Sequence, residues 1–173
     1  FDRPEDDAID RAETLLENLG AFCRKKRKLT PIGQFLATIP AHPRHARVIA
    51  EAKERGCPQT AALAIALTQT RPILLHGTSR ESEHLVKPGE FKSDFIPSIR
   101  AWELGAERHF DLPFCKQWGI HSGRAKEVGK IRNQILRGLG VTPNLSESWE
   151  PDNLARALLA GYPEQVAQRT RAG

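Results

Sequence analysis

Between one Pro or Gly and the next, apolar side chains in this 173-residue chain recur at three- and four-residue intervals, while the alternation of a half-buried strand is almost absent. That period makes the fold mainly α. A first helix is expected from near Pro4, whose fixed φ suits a first turn, with Glu5, Asp6 and Asp7 at the positive end of the helix dipole. Ile9, Ala12, Leu16 and Leu19 form its inward stripe, and Gly20 ends it. Ala21–Cys23 and Lys28–Leu29 read as two short strands about the basic tip Arg24–Arg27; Thr30 then caps and Pro31 opens a second helix, which stops at Pro40. A third helix, Pro43–Arg55, turns Ala46, Ile49 and Ala52 inward and ends at Gly56. Three helices around a short β-hairpin are the parts of a winged-helix domain, assigned to residues 1–56.

A helical bundle is expected to follow over residues 57–150. It opens with an apolar helix, Gln59–Gln69, broken by Pro72, and the pattern then fades until Ser93, a long excursion for a compact domain. From Ser93 a helix lines up Phe95, Ile99, Trp102, Ala106 and Phe110; Ser122 caps the next, which ends at Gly140. Residues 151–173 read as a helix capped by Asp152, Leu154–Ala160, and a linker, with poor order expected from about Gly161 onward.

Composition excludes several classes. The longest apolar run, Ala61–Leu67, is far shorter than the ~20 residues of a membrane span, and no charged-then-apolar leader opens the chain, so no membrane partner is expected. Cys23, Cys57 and Cys115 lack paired metal-ligand spacing and read as reduced thiols of a cytoplasmic protein. A chain that starts at Phe1 and has no Met is expected to be a fragment or an excised domain. The first 20 residues carry seven acidic side chains against Arg3 and Arg11, so the overall charge of +5 conceals a body of +10, which favours polyanionic partners.

Catalytic signatures are missing. There is no phosphate-binding G-x-x-x-x-G-K-[ST] loop and no G-x-S-x-G elbow. His42 and His45, an i, i+3 pair, could in principle share a metal, but Pro43 between them and the lack of nearby Asp, Glu or Cys argue against it, so they read as surface or capping residues, and no metal or cofactor is expected in this chain.

Several segments, taken in order, form a pattern: Pro4-x-x-x-Ala8-Ile-x-x-Ala12-x-x-x-Leu16-x-x-Leu19-Gly-Ala21, then Leu29-Thr-Pro-Ile-Gly33 and Ile39-Pro-Ala-His-Pro43-Arg. Ser93-Asp94-Phe95, Trp102, Phe114-Cys115, Val128-Gly-Lys-Ile131-Arg132-Asn-Gln134-Ile and Ala157-Leu-Leu-Ala-Gly161-Tyr follow. This series resembles the carboxy-terminal region of DEAH-box ATP-dependent helicases, of the bacterial Hrp-like kind. The resemblance implies a winged helix, a ratchet-like helical domain (HA2) and the approach to an oligonucleotide-binding barrel. It also implies a noncatalytic region walling the channel of a single strand of RNA or DNA. ATP and Mg would belong to motor domains outside this chain, and a protein activator is a further partner. The chain departs from the family pattern at His42, usually acidic, at Arg100, often Asn, and at Gly123, usually Arg. Family contacts to nucleic acid would fall around His121–Arg124, with Arg124 next to the altered Gly123, and near Arg100.

The residues themselves nominate the helix from Ser122, where a 100° projection sets Val128, Ile131, Ile135 and Leu139 opposite Lys126, Lys130, Asn133 and Arg137. That basic stripe is either a phosphate track or a solvated face. Arg124 and Arg132 project into the apolar arc, where each needs a carboxylate or a phosphate. Arg24–Lys28 at the hairpin tip is a phosphate site, a run resembling a localisation signal, or a solvated turn. Trp102 reads as core, whereas Trp118 is open to stacking on a base. The candidate nucleic-acid contacts are therefore Lys126, Lys130, Arg137, Arg124, Arg132, His121 and Arg100. Two other functions compete with the helicase accessory region: a free winged-helix DNA-binding regulator and a helical protein-interaction scaffold.

Overall fold

The structure, a computed structural model, describes residues 3–39, 41–75, 85 and 93–165. It is mainly helical, with eight α-helices and one two-stranded hairpin among the described residues. The hairpin pairs β1 (Phe22–Cys23) with β2 (Lys28–Leu29) antiparallel, Phe22 opposite Leu29, and Arg27 closes its turn in the left-handed region at φ 46°. Thr30 caps α2 (Pro31–Ala37) as expected: its hydroxyl accepts from the Gly33 amide at 3.1 Å and donates to the Gly20 carbonyl at 2.6 Å. This draws α2 against the hairpin so closely that a Cβ on Gly33 would lie 1.9 Å from the Ala21 carbonyl oxygen. Pro40, the expected stop of this helix, lies outside the described residues.

Helix α1 (Asp6–Asn18) departs from the expected stripe. Ala12 is exposed, Ile9 and Leu16 are half-buried, and only Leu19 just beyond the helix reaches the core. Leu15 and Leu16 pack against the smaller apolar cluster, and charged side chains tie the helix to the hairpin: Arg24 pairs with Asp10 at 2.7 Å and also donates to Thr14, while Arg27 reaches Glu13 at 3.4 Å. Two cations of the hairpin tip are thus bound to the acidic first helix, and Lys25, Lys26 and Lys28 remain exposed.

Helix α3 (Pro43–Glu54) divides its faces between two apolar clusters. Ala46 and Ala50 join Leu19, Ala21, Leu36 and Ile39; Val48, Ile49 and Ala52 join the larger cluster around α4 (Pro58–Thr68). Gln59 through Ala66 are all buried, consistent with a helix that is apolar on nearly every side. Around α4 pack α3, α5 (Phe95–Glu107), α7 (Ser122–Gly138) and α8 (Pro151–Gly161). The periodicity missed α6 (Leu112–Gln117), a short helix capped by Asp111. Phe110 lies beyond the end of α5 and folds back, its ring 5.7 Å from that of Trp102.

Two expected caps are displaced. His121, not Ser122, caps α7, because the Ser122 hydroxyl donates to the Phe110 carbonyl. Glu150, not Asp152, precedes α8, which starts at Pro151. The chain from Gly161 to Gln165 makes specific contacts with α3. Arg44 donates to the Gly161 carbonyl, pairs with Glu164 and lies over the Tyr162 ring, and a Cβ on Gly161 would meet Val48 Cγ2 at 2.4 Å. The expected disorder of Val166 and Ala167, and most of the 72–92 excursion, fall outside the described residues. Of that excursion, Leu74 bridges Ile120 and Leu85 is buried.

Candidate nucleic-acid interface

Helix α7 opens where His121 Nδ1 accepts from the Arg124 amide at 3.3 Å, and it ends before Gly140, which takes the left-handed conformation at φ 67°. Its buried face is Ser122, Ala125, Val128, Arg132 and Leu136. This face is rotated from the expected arc: Val128 is shared, but Ile131, Ile135 and Leu139 are only half-buried. Small residues explain the rotation. The Trp102 indole N–H donates to the Ala125 carbonyl at 2.8 Å, and a Cβ on Gly129 would lie 3.2 Å from the Trp102 ring, so the helix presents its narrowest side to α5.

Arg132 sits inside this contact, only 4% exposed. Neither of its expected partners satisfies it. The guanidinium donates to Gln59 Oε1 at 2.6 Å, to the Asn144 carbonyl and to Asn133 Oδ1 at 3.0 Å, and it lies over the Trp102 ring at 5.2 Å. Burial pulls its pKa below the ordinary arginine value, against the opposing charges of Glu147 and Glu103. The same network binds the irregular segment 141–150. Glu147 accepts from the Gln59 and Thr60 amides and the Thr60 hydroxyl, all at 2.9 Å, and so caps α4 from far along the chain. The Trp149 indole donates to Glu103 at 2.9 Å; burial nonetheless raises the Glu103 carboxyl above the usual carboxylate range.

Lys126, Lys130 and Arg137 lie exposed along the outer face of α7, with Asn133 half-buried between them. Among the described residues, no carboxylate pairs with any of the three cations. Eleven residues of helix separate Lys126 from Arg137, about 16 Å of continuous basic edge. Beside it runs a groove of about 430 Å³ between α7 and segment 143–145, with Trp102 and Phe110 in its lining. Sequence reasoning missed Asn144, Leu145 and His109 in the lining of that groove. No period marks those positions.

The other nominated residues lie elsewhere. Arg124 donates to the Pro72 carbonyl at 2.9 Å and, with His121, occupies the amino-terminal end of α7 away from the stripe. Arg100 donates to the Leu85 carbonyl at 2.6 Å and lines a different groove with Glu103, Glu107 and Glu147. Trp118 is half-buried and tilted against Phe114. Burial pushes the Cys57 thiol up to about 11, which leaves it un-ionised and poorly suited to act as a nucleophile. His42 accepts from the Arg44 amide and so caps α3, and no group of three metal-ligating side chains forms among the described residues.

Among the described residues the site is thus an exposed basic edge on one helix beside a groove with Trp102 and Phe110 in its lining. Over nearly its whole length the chain has homologues among the DEAH-box ATP-dependent RNA helicases. It is 29% identical over 184 residues to the ATP-dependent RNA helicase HrpA of Escherichia coli, covering 96% of this chain, and 29% identical to the HrpA homolog of Haemophilus influenzae. A DExH-box ATP-dependent RNA helicase of Arabidopsis thaliana, DExH1, is 27% identical over 98% of the chain. The chain spans only 14% of each bacterial relative and 19% of the plant one, so it corresponds to part of a helicase. No family model matches it.

Proposed function

We propose that this chain is a noncatalytic accessory region of a DEAH-box RNA helicase, contacting a single strand while motor domains elsewhere in the longer protein bind ATP and Mg and drive translocation. The observation that carries this reading is the row of Lys126, Lys130 and Arg137, exposed and unpaired on one helix face. Phosphates are the natural partners of such a row. In this reading residues 1–56 are a winged helix, 57–150 a ratchet-like domain and 151–173 the helix and linker that follow. The motor domains and an oligonucleotide-binding barrel are covalent neighbours, a protein activator is an external partner, and the setting is cytoplasmic. His121 and Arg124 extend the contact at the amino-terminal end of α7, Arg132 supports it from within, and Arg100 marks a separate contact. A sequence-reading DNA regulator draws less support, since the outward side chains of α2 include Pro31, Gln34, Phe35 and Ala37, with one amide to read base edges.

Replacing Lys126, Lys130 and Arg137 together by alanine is expected to weaken binding to single-stranded RNA and to flatten the plot of log affinity against log salt. Each lost phosphate contact accounts for roughly 0.7 of slope, so the change is about two units. Base preference should stay as it was. A control lacking Lys25, Lys26 and Lys28 is expected to keep both affinity and slope. If the control loses affinity and the helix variant does not, the row is a solvated face. The purified chain is also expected to neither bind nor hydrolyse ATP, since its sequence holds no phosphate loop. Nucleotide-dependent turnover surviving a contaminant control would contradict this.

A further inference from the structure

We infer that the groove between α7 and segment 143–145 is a subsite for one unstacked nucleobase of a single strand, with Lys126 and Lys130 on its flanking phosphates. The inference rests on the RNA-contacting reading above and adds to it a role for the bases. In the lining of the groove, the Trp102 ring already contacts the Arg132 guanidinium at 5.2 Å and the Phe110 ring at 5.7 Å. Those contacts occupy Trp102, so a ligand would meet Leu145 and His109 instead. Leu145 is 55% exposed although its neighbours are firmly anchored. The Asn144 amide donates to Gln59 at 3.2 Å, its carbonyl accepts from Arg132, and Glu147 is fixed on the α4 amides. A leucine held in water by such anchors is presented rather than merely left over.

His109 is presented in a comparable way. It and Phe110 both adopt left-handed backbone, at φ 53° and 55°, which is uncommon for bulky side chains and clusters at functional sites. The turn is fixed by amide bonds from His109 to Ala106 at 3.0 Å and from Phe110 to Gly105 at 2.7 Å, and by the Ser122 hydroxyl on the Phe110 carbonyl. Gly105 makes the turn possible, since a Cβ there would meet the Phe110 ring at 2.9 Å. The outcome is an exposed imidazole that lines the same groove as the exposed leucine. Polar recognition comes from the walls. Asn133 Oδ1 accepts from Arg132 and Asn144 Oδ1 accepts from the Ser146 amide, which leaves both carboxamide NH2 groups to donate to carbonyls on a base edge. A groove lined by Leu145 and His109, with two amide donors and two flanking cations, suits a base with its own phosphates, and contact of a base face with an imidazole tolerates sequence.

The test compares short oligouridine with the same sugar–phosphate strand lacking bases, both binding the 173-residue chain across a salt series. The abasic strand is expected to bind roughly tenfold more weakly with an unchanged salt slope, the size of one base contact. A His109→Asn, Leu145→Ser double variant is expected to lose about the same factor on oligouridine and nothing on the abasic strand. Its thermal unfolding should not change, because both side chains are exposed and Asn tolerates left-handed backbone. Uridine monophosphate, which lacks the second flanking phosphate, is expected not to displace the strand. Equal affinity for the two strands with a normal slope, or an equal loss by the variant on both, would overturn the base subsite and leave the phosphate row standing. Displacement by the mononucleotide would make the groove a free-nucleotide site and overturn the strand assignment. No binding to either strand would overturn the RNA-contacting reading, and the subsite with it.

Discussion

Replacing Gly33 with alanine is expected to lower the unfolding free energy by about 3 kcal/mol, the upper end for overpacking. For a chain of this size, that is a fall of roughly 6–12 °C in melting temperature. Helix propensity alone predicts the opposite sign, since alanine is favoured over glycine inside a helix by up to about 1 kcal/mol. Packing decides the matter. The new Cβ would lie 1.9 Å from the Ala21 carbonyl oxygen, a backbone atom that also accepts from the Thr30 amide at 3.0 Å. Relief requires α2 to move off the hairpin, which opens the cluster of Leu19, Ala21, Leu36 and Ile39. Gly123→Ala is the matched control. In the first turn of α7 its Cβ would come no nearer than 3.5 Å to the His121 ring, so there propensity should win and stability should rise slightly. Chemical denaturation of both variants checks the contrast, and a stabilised Gly33→Ala protein would mean that α2 does not press on the hairpin.

The second large effect is expected at Arg132. Truncation to alanine removes the donors to Gln59 and to the Asn144 carbonyl and leaves space against Trp102. Hydrogen bonds from a charged group contribute roughly 1.5–3 kcal/mol each, offset in part by relief of a buried cation, so the net loss is about 3 kcal/mol. Arg132→Met separates the contributions. Methionine refills the volume and carries no charge to desolvate, and Gln59 Oε1 keeps the Asn144 amide as a donor. Its loss should be about 1 kcal/mol, the usual cost of an unpaired buried carbonyl. Thermal and denaturant unfolding of the two variants test this, and equal losses would show that the guanidinium's charge and donors, not its volume, hold segment 141–150 in place.

Much of the fold could be read locally. Thr30 and Pro31 announce a helix start because capping and a fixed φ act within one turn, and the structure places α2 there. The Ala-rich run after Pro58 is apolar on nearly every side, and it became the buried centre. Caps were less legible where two candidates stood together. Ser122 is the better cap by type, yet its hydroxyl is used by Phe110, and His121 takes the role. The first helix departs for a different reason: residues such as Ile9 and Ala12 show a capacity to be buried, not that a neighbour covers them, and only Leu15, Leu16 and Leu19 meet the smaller cluster.

At the candidate interface, the sequence determined the basic edge, because a helix of known phase sets Lys126, Lys130 and Arg137 on one side whatever surrounds it. It also determined the helical class and the likeness to RNA helicases, since both reside in residue order. Tertiary structure alone decided which edge of α7 is buried. Small residues at Ala125 and Gly129 let Trp102 approach, so the helix turned its narrow side inward and carried Arg132 with it. It alone decided how that arginine is satisfied, by carbonyl and amide oxygens brought from Gln59 and Asn144. The groove likewise exists only in three dimensions. Glu147 caps a helix 87 residues earlier in the chain than itself, and this bond sets the wall that faces α7. Periodicity reports which face of an element is apolar; it carries no information on which distant polar group will complete that element's hydrogen bonds.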